Sequence, residues 1–290
     1  QILELYMVVG GIPFYLKAIN KNLSIPQNIN LICFNKKGLL FGEFKNLYAS
    51  LFNDSEIYEE IIRIIASKRR GVARTELVKN LKLSSAGGRL NKRLLELEQT
   101  GFIISFKPYG FAKKGICYRI IDEYSLFYLD WIETFSQNLN KKTRFTDFWN
   151  EVSQTSRWLS WAGYAFESIC YEHIDNIRDA LKIPHTAVVS SWQYFPEKNK
   201  KEENGAQIDL LFDRPDDVIT ICEIKYHKNL YVFDKQEAKS LLNKIDVFKK
   251  RTGTKKQIVS VLITAVGIKQ TMYSEEIICK TLSAVDLFKK

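Results

Sequence analysis

The sequence contains no Gly-x-x-x-x-Gly-Lys-Ser/Thr run, so this chain does not bind or hydrolyse ATP in the way a P-loop protein does. It also lacks a Gly-x-Ser-x-Gly elbow, and its three histidines (His173, His185, His227) are dispersed without forming a metal-binding pair. Serine-hydrolase and zinc-enzyme chemistry therefore have no anchor here. The five cysteines (Cys33, Cys117, Cys170, Cys222, Cys279) are odd in number, and no two stand in a Cys-x-x-Cys pair. Neither a disulfide framework nor a zinc site is implied, and the cytoplasm is the expected compartment. Residues 2–19 are apolar, but Glu4, the Gly10 and Gly11 pair and Pro13 interrupt them, and no other stretch approaches spanning length. No membrane association is expected. No signal peptide is visible, the first residue is Gln, and the chain opens inside a helical pattern. These features lead us to expect a piece of a longer protein.

What is present is the composition of an ordinary globular protein: 46% hydrophobic and 26% charged residues over 290 positions. The net charge of +10 is unevenly spread. Residues 1–53 carry 5 Lys/Arg against 2 Asp/Glu, residues 54–120 carry 14 against 7, and residues 121–290 carry 24 against 24. A segment of 67 residues at +7 points to a polyanion partner, with a merely lysine-rich surface as the alternative.

The pattern along the chain begins with two short helices, broken between Gly10 and Pro13. Apolar residues at Ile57, Ile61, Ile62, Ile64 and Ile65 recur at helical spacing. A short helix follows over 75–81, with Thr75 as its expected cap. A third is expected after Ser84 and Ser85, with Leu90, Leu94 and Leu97 on its buried stripe. Gly101 stops it, and two strand-like runs, 102–107 and 116–121, follow. Helix, short helix, helix, then hairpin is the order of a winged helix-turn-helix, which binds either DNA or protein. Arg89, Lys92 and Arg93 would face duplex DNA from the third helix, and Lys113 and Lys114 from the hairpin tip. Residues 122–150 are rich in aromatics, expected as a packed helical connector rather than a base-stacking platform. A helix over 158–178, strands over 187–195, 206–212, 218–226 and 258–266, and a helix over 234–249 describe an α/β domain.

Chemistry concentrates at Ile208-Asp209-Leu210 and Cys222-Glu223-Ile224-Lys225. Strict alternation sets Asp209 on the face opposite Ile208, Leu210 and Phe212, and sets Glu223 and Lys225 on a shared face. A hairpin folded about Asp216 pairs 209 with 223, roughly 5 Å apart. Two carboxylates that close repel unless a cation or proton lies between them, which suits Mg²⁺ or Mn²⁺. Lys225 beside them would position or help deprotonate a water, or stabilise phosphate charge. The bland alternative is a surface ion-pair ladder worth a few tenths of a kcal/mol. Against it, charged residues on strands this apolar are rarely accidental.

Glu167 on a helix, Asp209 on a strand and Glu223-Ile224-Lys225 on the next resemble the PD-(D/E)xK nuclease superfamily. That resemblance implies a restriction-endonuclease-like fold, a metal site at Glu167, Asp209 and Glu223, and Lys225 as the catalytic lysine. Lys239 and Lys244 are weaker candidates for a further polar group. Ile208 stands where that family's motif has proline. The segment Tyr6-Met7-Val8-Val9-Gly10-Gly11-Ile12-Pro13-Phe14-Tyr15-Leu16 resembles the Gly-x-Pro segment of archaeal-type AAA+/STAND ATPases, also found in bacteria. There it follows the nucleotide-binding core, its proline close to the adenine. In one branch a winged helix and a nuclease-like domain of unknown function come next. The resemblance implies a mixed α/β chain in three parts. These are an ATPase lid remnant (1–53), a winged helix (54–121), and a helical connector with the nuclease-like domain (122–290). It also implies a missing N-terminal ATPase domain as partner and ATP as ligand of the longer protein only; an oligomer stays open. Two functions follow: a Mg²⁺-dependent nuclease delivered to DNA, or a non-catalytic nucleic-acid-binding or regulatory module.

Overall fold

The computed structural model describes residues 1–81, 88–110, 115–137, 147–196 and 205–289. Its fold is mixed α/β. The chain divides into two units: Gln1–Ser105 with Cys117–Ile169, and Phe106–Ile116 with Cys170–Lys290.

The first unit opens with α1 (Ile2–Val9), which buries Met7, Val8 and Val9. Gly10 ends it at φ 60, ψ −158, a conformation essentially reserved for glycine. The site is also crowded, since a Cβ there would lie 2.8 Å from the Glu123 carboxylate. Pro13 then occupies the first turn of α2 (Pro13–Leu16), where its missing N–H costs nothing. A capping box between Ser24 and Gln27 starts α3 (Ile25–Cys33), and α4 (Glu43–Leu51) follows.

Next come α5 (Ser55–Ala66), β1 (Val72–Ala73), α6 (Arg74–Asn80), α7 (Gly88–Gln99), β2 (Ile103–Phe106) and β3 (Cys117–Ile120). The strands form one sheet in the order β1-β3-β2, with β1 antiparallel to β3. The isoleucine spacing that predicts the first of these helices buries Ile61, Ile62 and Ile65 together with Tyr58. Leu90, Leu94 and Leu97 are buried on α7. The expected caps Ser84 and Ser85 lie outside the described residues.

After β3 run α8 (Glu123–Phe127), a π-helical turn (Tyr128–Ile132), α9 (Glu133–Gln137), α10 (Phe148–Val152) and α11 (Ser156–Glu172). Their aromatic residues are core. Phe34 stacks on Trp149 at 5.3 Å, Phe44 on Tyr128 at 4.4 Å, and Trp158 on Trp161 at 5.0 Å. These contacts tie the segment after residue 121 to α3 and α4, so the contacts do not divide the chain at 121. They divide it within α11, between Ile169 and Cys170.

The second unit holds α12 (Ile174–Leu181), β4 (Val188–Tyr194), β5 (Ala206–Asp213), β6 (Val218–Lys225), β7 (Tyr231–Val232) and α13 (Lys235–Thr252). Then come β8 (Gln257–Thr264), β9 (Ile268–Lys269), α14 (Met272–Ile277), β10 (Lys280–Ser283) and α15 (Ala284–Leu287). The main sheet runs β10-β8-β6-β5-β4. The β4-β5-β6 meander is antiparallel, while β6, β8 and β10 are parallel, with α13 as the crossover from β6 to β8. Two apolar clusters meet this helix. Phe248 packs with Ile208, Leu211, Ile219 and Ile221, whereas Ala238 and Leu241 pack with Tyr231, Phe233 and Leu262. Elements beyond β8 are short and lack a sequence period, so none was expected.

Candidate functional site

The acid-and-lysine set of the second unit is built on the side of the sheet that faces α13. Along β6, Ile219, Ile221, Glu223 and Lys225 alternate onto that side. Glu223 is only 4% exposed, and a carboxylate so placed needs close partners. Lys244 on α13 donates to both its carboxylate oxygens, at 2.7 and 2.8 Å. Lys225 stands 3.2 Å from Glu223 and 3.3 Å from Glu237. Two carboxylates and two ammoniums thus form a balanced quartet.

Burial works to lower the pKa of Lys225, but the Glu223 and Glu237 carboxylates outweigh it and hold the pKa above the ordinary lysine value. Lys225 is accordingly a fixed cation. Both carboxylates favour its charged form, the form in which it would stabilise phosphate charge or position a water. Burial and the neighbouring Glu237 also push the Tyr231 hydroxyl well up.

Asp209 does not join this group. Ser190 pairs with Leu211 and Trp192 with Ile208, so two residues of β5, Asp209 and Leu210, stand opposite the single Ser191. This is a β-bulge, and it breaks the strict alternation assumed from the sequence. Ile208 and Leu211 consequently share the α13 side. Asp209 turns to the other side with Gln207, whose amide donates to it at 3.0 Å. The Cys222 thiol registers the same placement, since burial first and the Asp209 charge second raise its pKa. The β5–β6 ladder keeps the expected register, with Leu210 opposite Cys222, and ends one pair before 209 and 223. It is the bulge that separates the two carboxylates. Among the described residues, no group of three or more His, Cys, Asp or Glu side chains is arranged to hold a metal ion.

Glu167 belongs to the first unit, where it accepts from Arg119 at 3.2 Å. The Arg119 side chain is 5% exposed and also donates to the Arg69 carbonyl. A nearly buried guanidinium requires a counter-charge, and Glu167 supplies it. The Arg119 and Arg69 guanidinium groups lie over the Tyr164 ring, at 5.3 and 5.7 Å.

On α7, Arg89 and Lys92 are exposed, and Lys92 makes only a loose 3.8 Å contact with Glu96. Arg93 is half-buried with its guanidinium 5.9 Å over Tyr58, and Tyr58 donates to Glu96. All three cations border a cavity of about 330 Å³ with Phe52 and Asp54. Lys113 and Lys114 lie outside the described residues. Pro13 is exposed at the start of α2.

Lys239 is exposed, whereas Lys244, the other weak candidate, is central. Glu237 was missed. A signal for both existed: Glu237, Leu241, Lys244 and Phe248 follow helical spacing, so two charges sit on a stripe that is otherwise apolar.

No protein family, curated protein or solved structure matches this chain.

Proposed function

We propose that this chain is a nucleic-acid-binding regulatory module whose nuclease-type domain does not hydrolyse phosphodiesters. The observation that carries this reading is the Lys244 ammonium seated on both oxygens of Glu223 while Asp209 faces away. These residues do not fit a Mg²⁺ or Mn²⁺ site, because one carboxylate is already neutralised and its expected partner is across the sheet. The order α5-β1-α6-α7-β2-β3 supports a winged helix, with Arg89 and Lys92 free to meet phosphates. The antiparallel meander followed by a helical crossover to a parallel strand supports the nuclease-like fold of the second unit. Gly10 in its glycine-only conformation, followed by Pro13, supports the reading as the C-terminal region of a cytoplasmic AAA+/STAND-type ATPase. No described helix is long and apolar enough to cross a membrane.

Metal-dependent hydrolysis is the second reading, favoured by the Glu223–Lys225 pair at 3.2 Å. Incubating the chain with duplex DNA and Mg²⁺ or Mn²⁺ separates the two. The regulatory reading expects binding that weakens steeply with salt, reduced affinity for Arg89→Ala/Lys92→Ala, and no cleavage. Cleavage that disappears in Glu223→Gln and in EDTA would establish the hydrolase instead.

A further inference from the structure

The zero net charge of residues 121–290 conceals a strongly basic patch. Residues 247–256 contain Lys249, Lys250, Arg251, Lys255 and Lys256 and no acid. They form the last turn of α13, the left-handed Gly253 that ends it, and the entry to β8. Two nearby carboxylates are committed, while Asp217 and Asp246 have no ion pair among the described residues. Asp213 is held by Lys256 at 2.8 Å, and Asp216 by Arg214. Lys249, Lys250 and Lys255 are exposed and have no ion-pair partner among the described residues. Lys256 alone of the patch lysines holds a carboxylate, as Lys225 and Lys244 do elsewhere in this unit.

Cations in a last helical turn complement the macrodipole, and that alone explains one or two of them. It does not explain Lys255, which lies beyond the helix. Nor does it explain the arrangement of Arg251, whose guanidinium lies 4.1 Å over the Tyr194 ring at the end of β4. Phe195, the next residue, is 60% exposed. Three lysines without an ion-pair partner among the described residues, beside an arginine over an aromatic ring and an exposed phenylalanine, are the chemistry of a nucleic-acid backbone site, where phosphates take the charges and a base meets an aromatic face. A small anion would neutralise one of these groups and leave the others uncompensated.

We propose that the α13–β8 turn, through Lys249, Lys250, Arg251 and Lys255 beside Tyr194, is a nucleic-acid contact of the second unit, additional to the α7 contact. It rests on the reading of the chain as nucleic-acid-binding. The test uses the full chain, a duplex and a single strand of equal length, and phosphatidylserine vesicles. Lys249→Gln/Lys250→Gln/Lys255→Gln should weaken binding at least tenfold at low salt. For duplex it should also make the log–log salt slope shallower by about 2 to 3, because three phosphate contacts are lost. A larger loss on the single strand than on the duplex would assign the aromatic pair a stacking role. An unchanged slope in this variant, with a shallower one in Arg89→Ala/Lys92→Ala, would overturn the proposal and leave the α7 contact standing. Wild-type binding to vesicles but not to nucleic acid would overturn both. A melting curve for each variant confirms that it is folded, and Lys249→Ala/Lys255→Ala serves as a milder substitute if the triple variant is not.

Discussion

Glu223 illustrates how much one residue's surroundings decide. A buried carboxylate with two ammonium partners is satisfied, whereas removing one partner leaves charge that neither water nor protein fully compensates. Because Lys244 is partly exposed and Lys225 remains, Lys244→Ala should cost about 1–3 kcal/mol rather than the larger loss of a fully buried pair, read by urea denaturation. A cost under half a kcal/mol would reduce the quartet to a surface ladder. Lys225 adds a dependence on pH. Its folded-state pKa is raised, so its contribution is complete below the unfolded value, about 10.4, and is lost as pH rises through the folded one. The stability difference between wild type and Lys225→Met should therefore be flat from neutrality to mildly alkaline pH and shrink above that. A difference that already shrank between neutrality and mildly alkaline pH, where Lys225 and its carboxylate partners all keep their charges, would contradict the assignment. The pairing of Glu223 with Lys225 was legible from their spacing on one strand. The role of Lys244 was legible only in part, since a helix stripe does not name its strand partner.

Among the elements, α13 does the most to shape the site. Asp234 caps it, accepting from the N–H groups of Gln236 and Glu237 at 2.8 and 3.0 Å, so one side chain both starts the helix and anchors the turn that carries Glu237. Asp234→Ala should cost about 1 kcal/mol, measured as a shift in the denaturation midpoint. It should also loosen the Lys225–Glu237 contact, visible as a changed Lys225 ammonium resonance. A stability loss with that resonance unmoved would make the cap purely local. The long helix and the apolar strands were readable from period and length. The bulge in β5 was not, because an extra residue leaves no trace in an apolar run (Ile-Asp-Leu-Leu-Phe), and it alone decides which way Asp209 faces.

For the whole molecule, the two units have distinct chemistries. The first carries most of the Lys and Arg of residues 54–120, and in the second the charges around Glu223 and Asp213 are paired while, among the described residues, Lys249, Lys250 and Lys255 are not. If the second unit has no divalent site, Mg²⁺ should leave the melting curve unchanged apart from a weak salt effect. A site filled a hundredfold above its Kd would add about 2.7 kcal/mol, a shift of several degrees that calorimetry resolves. A shift of that size, abolished in Glu223→Gln, would return the site to metal chemistry.

The sequence by itself determined the longer helices and the strands β2 to β6 and β8, because burial at a period of 3.6 or 2 is a property of the chain alone. It also determined the acid-x-lysine spacing on β6 and the basic excess before residue 121. Only the tertiary structure decided that aromatic residues after 121 complete the core of the first unit, that Glu167 balances Arg119, and that Asp209 and Glu223 lie on opposite sides of one sheet. Each of those depends on which distant surfaces meet and on where a ladder slips by one residue. Packing energies between segments decide such matters, and no local pattern encodes them.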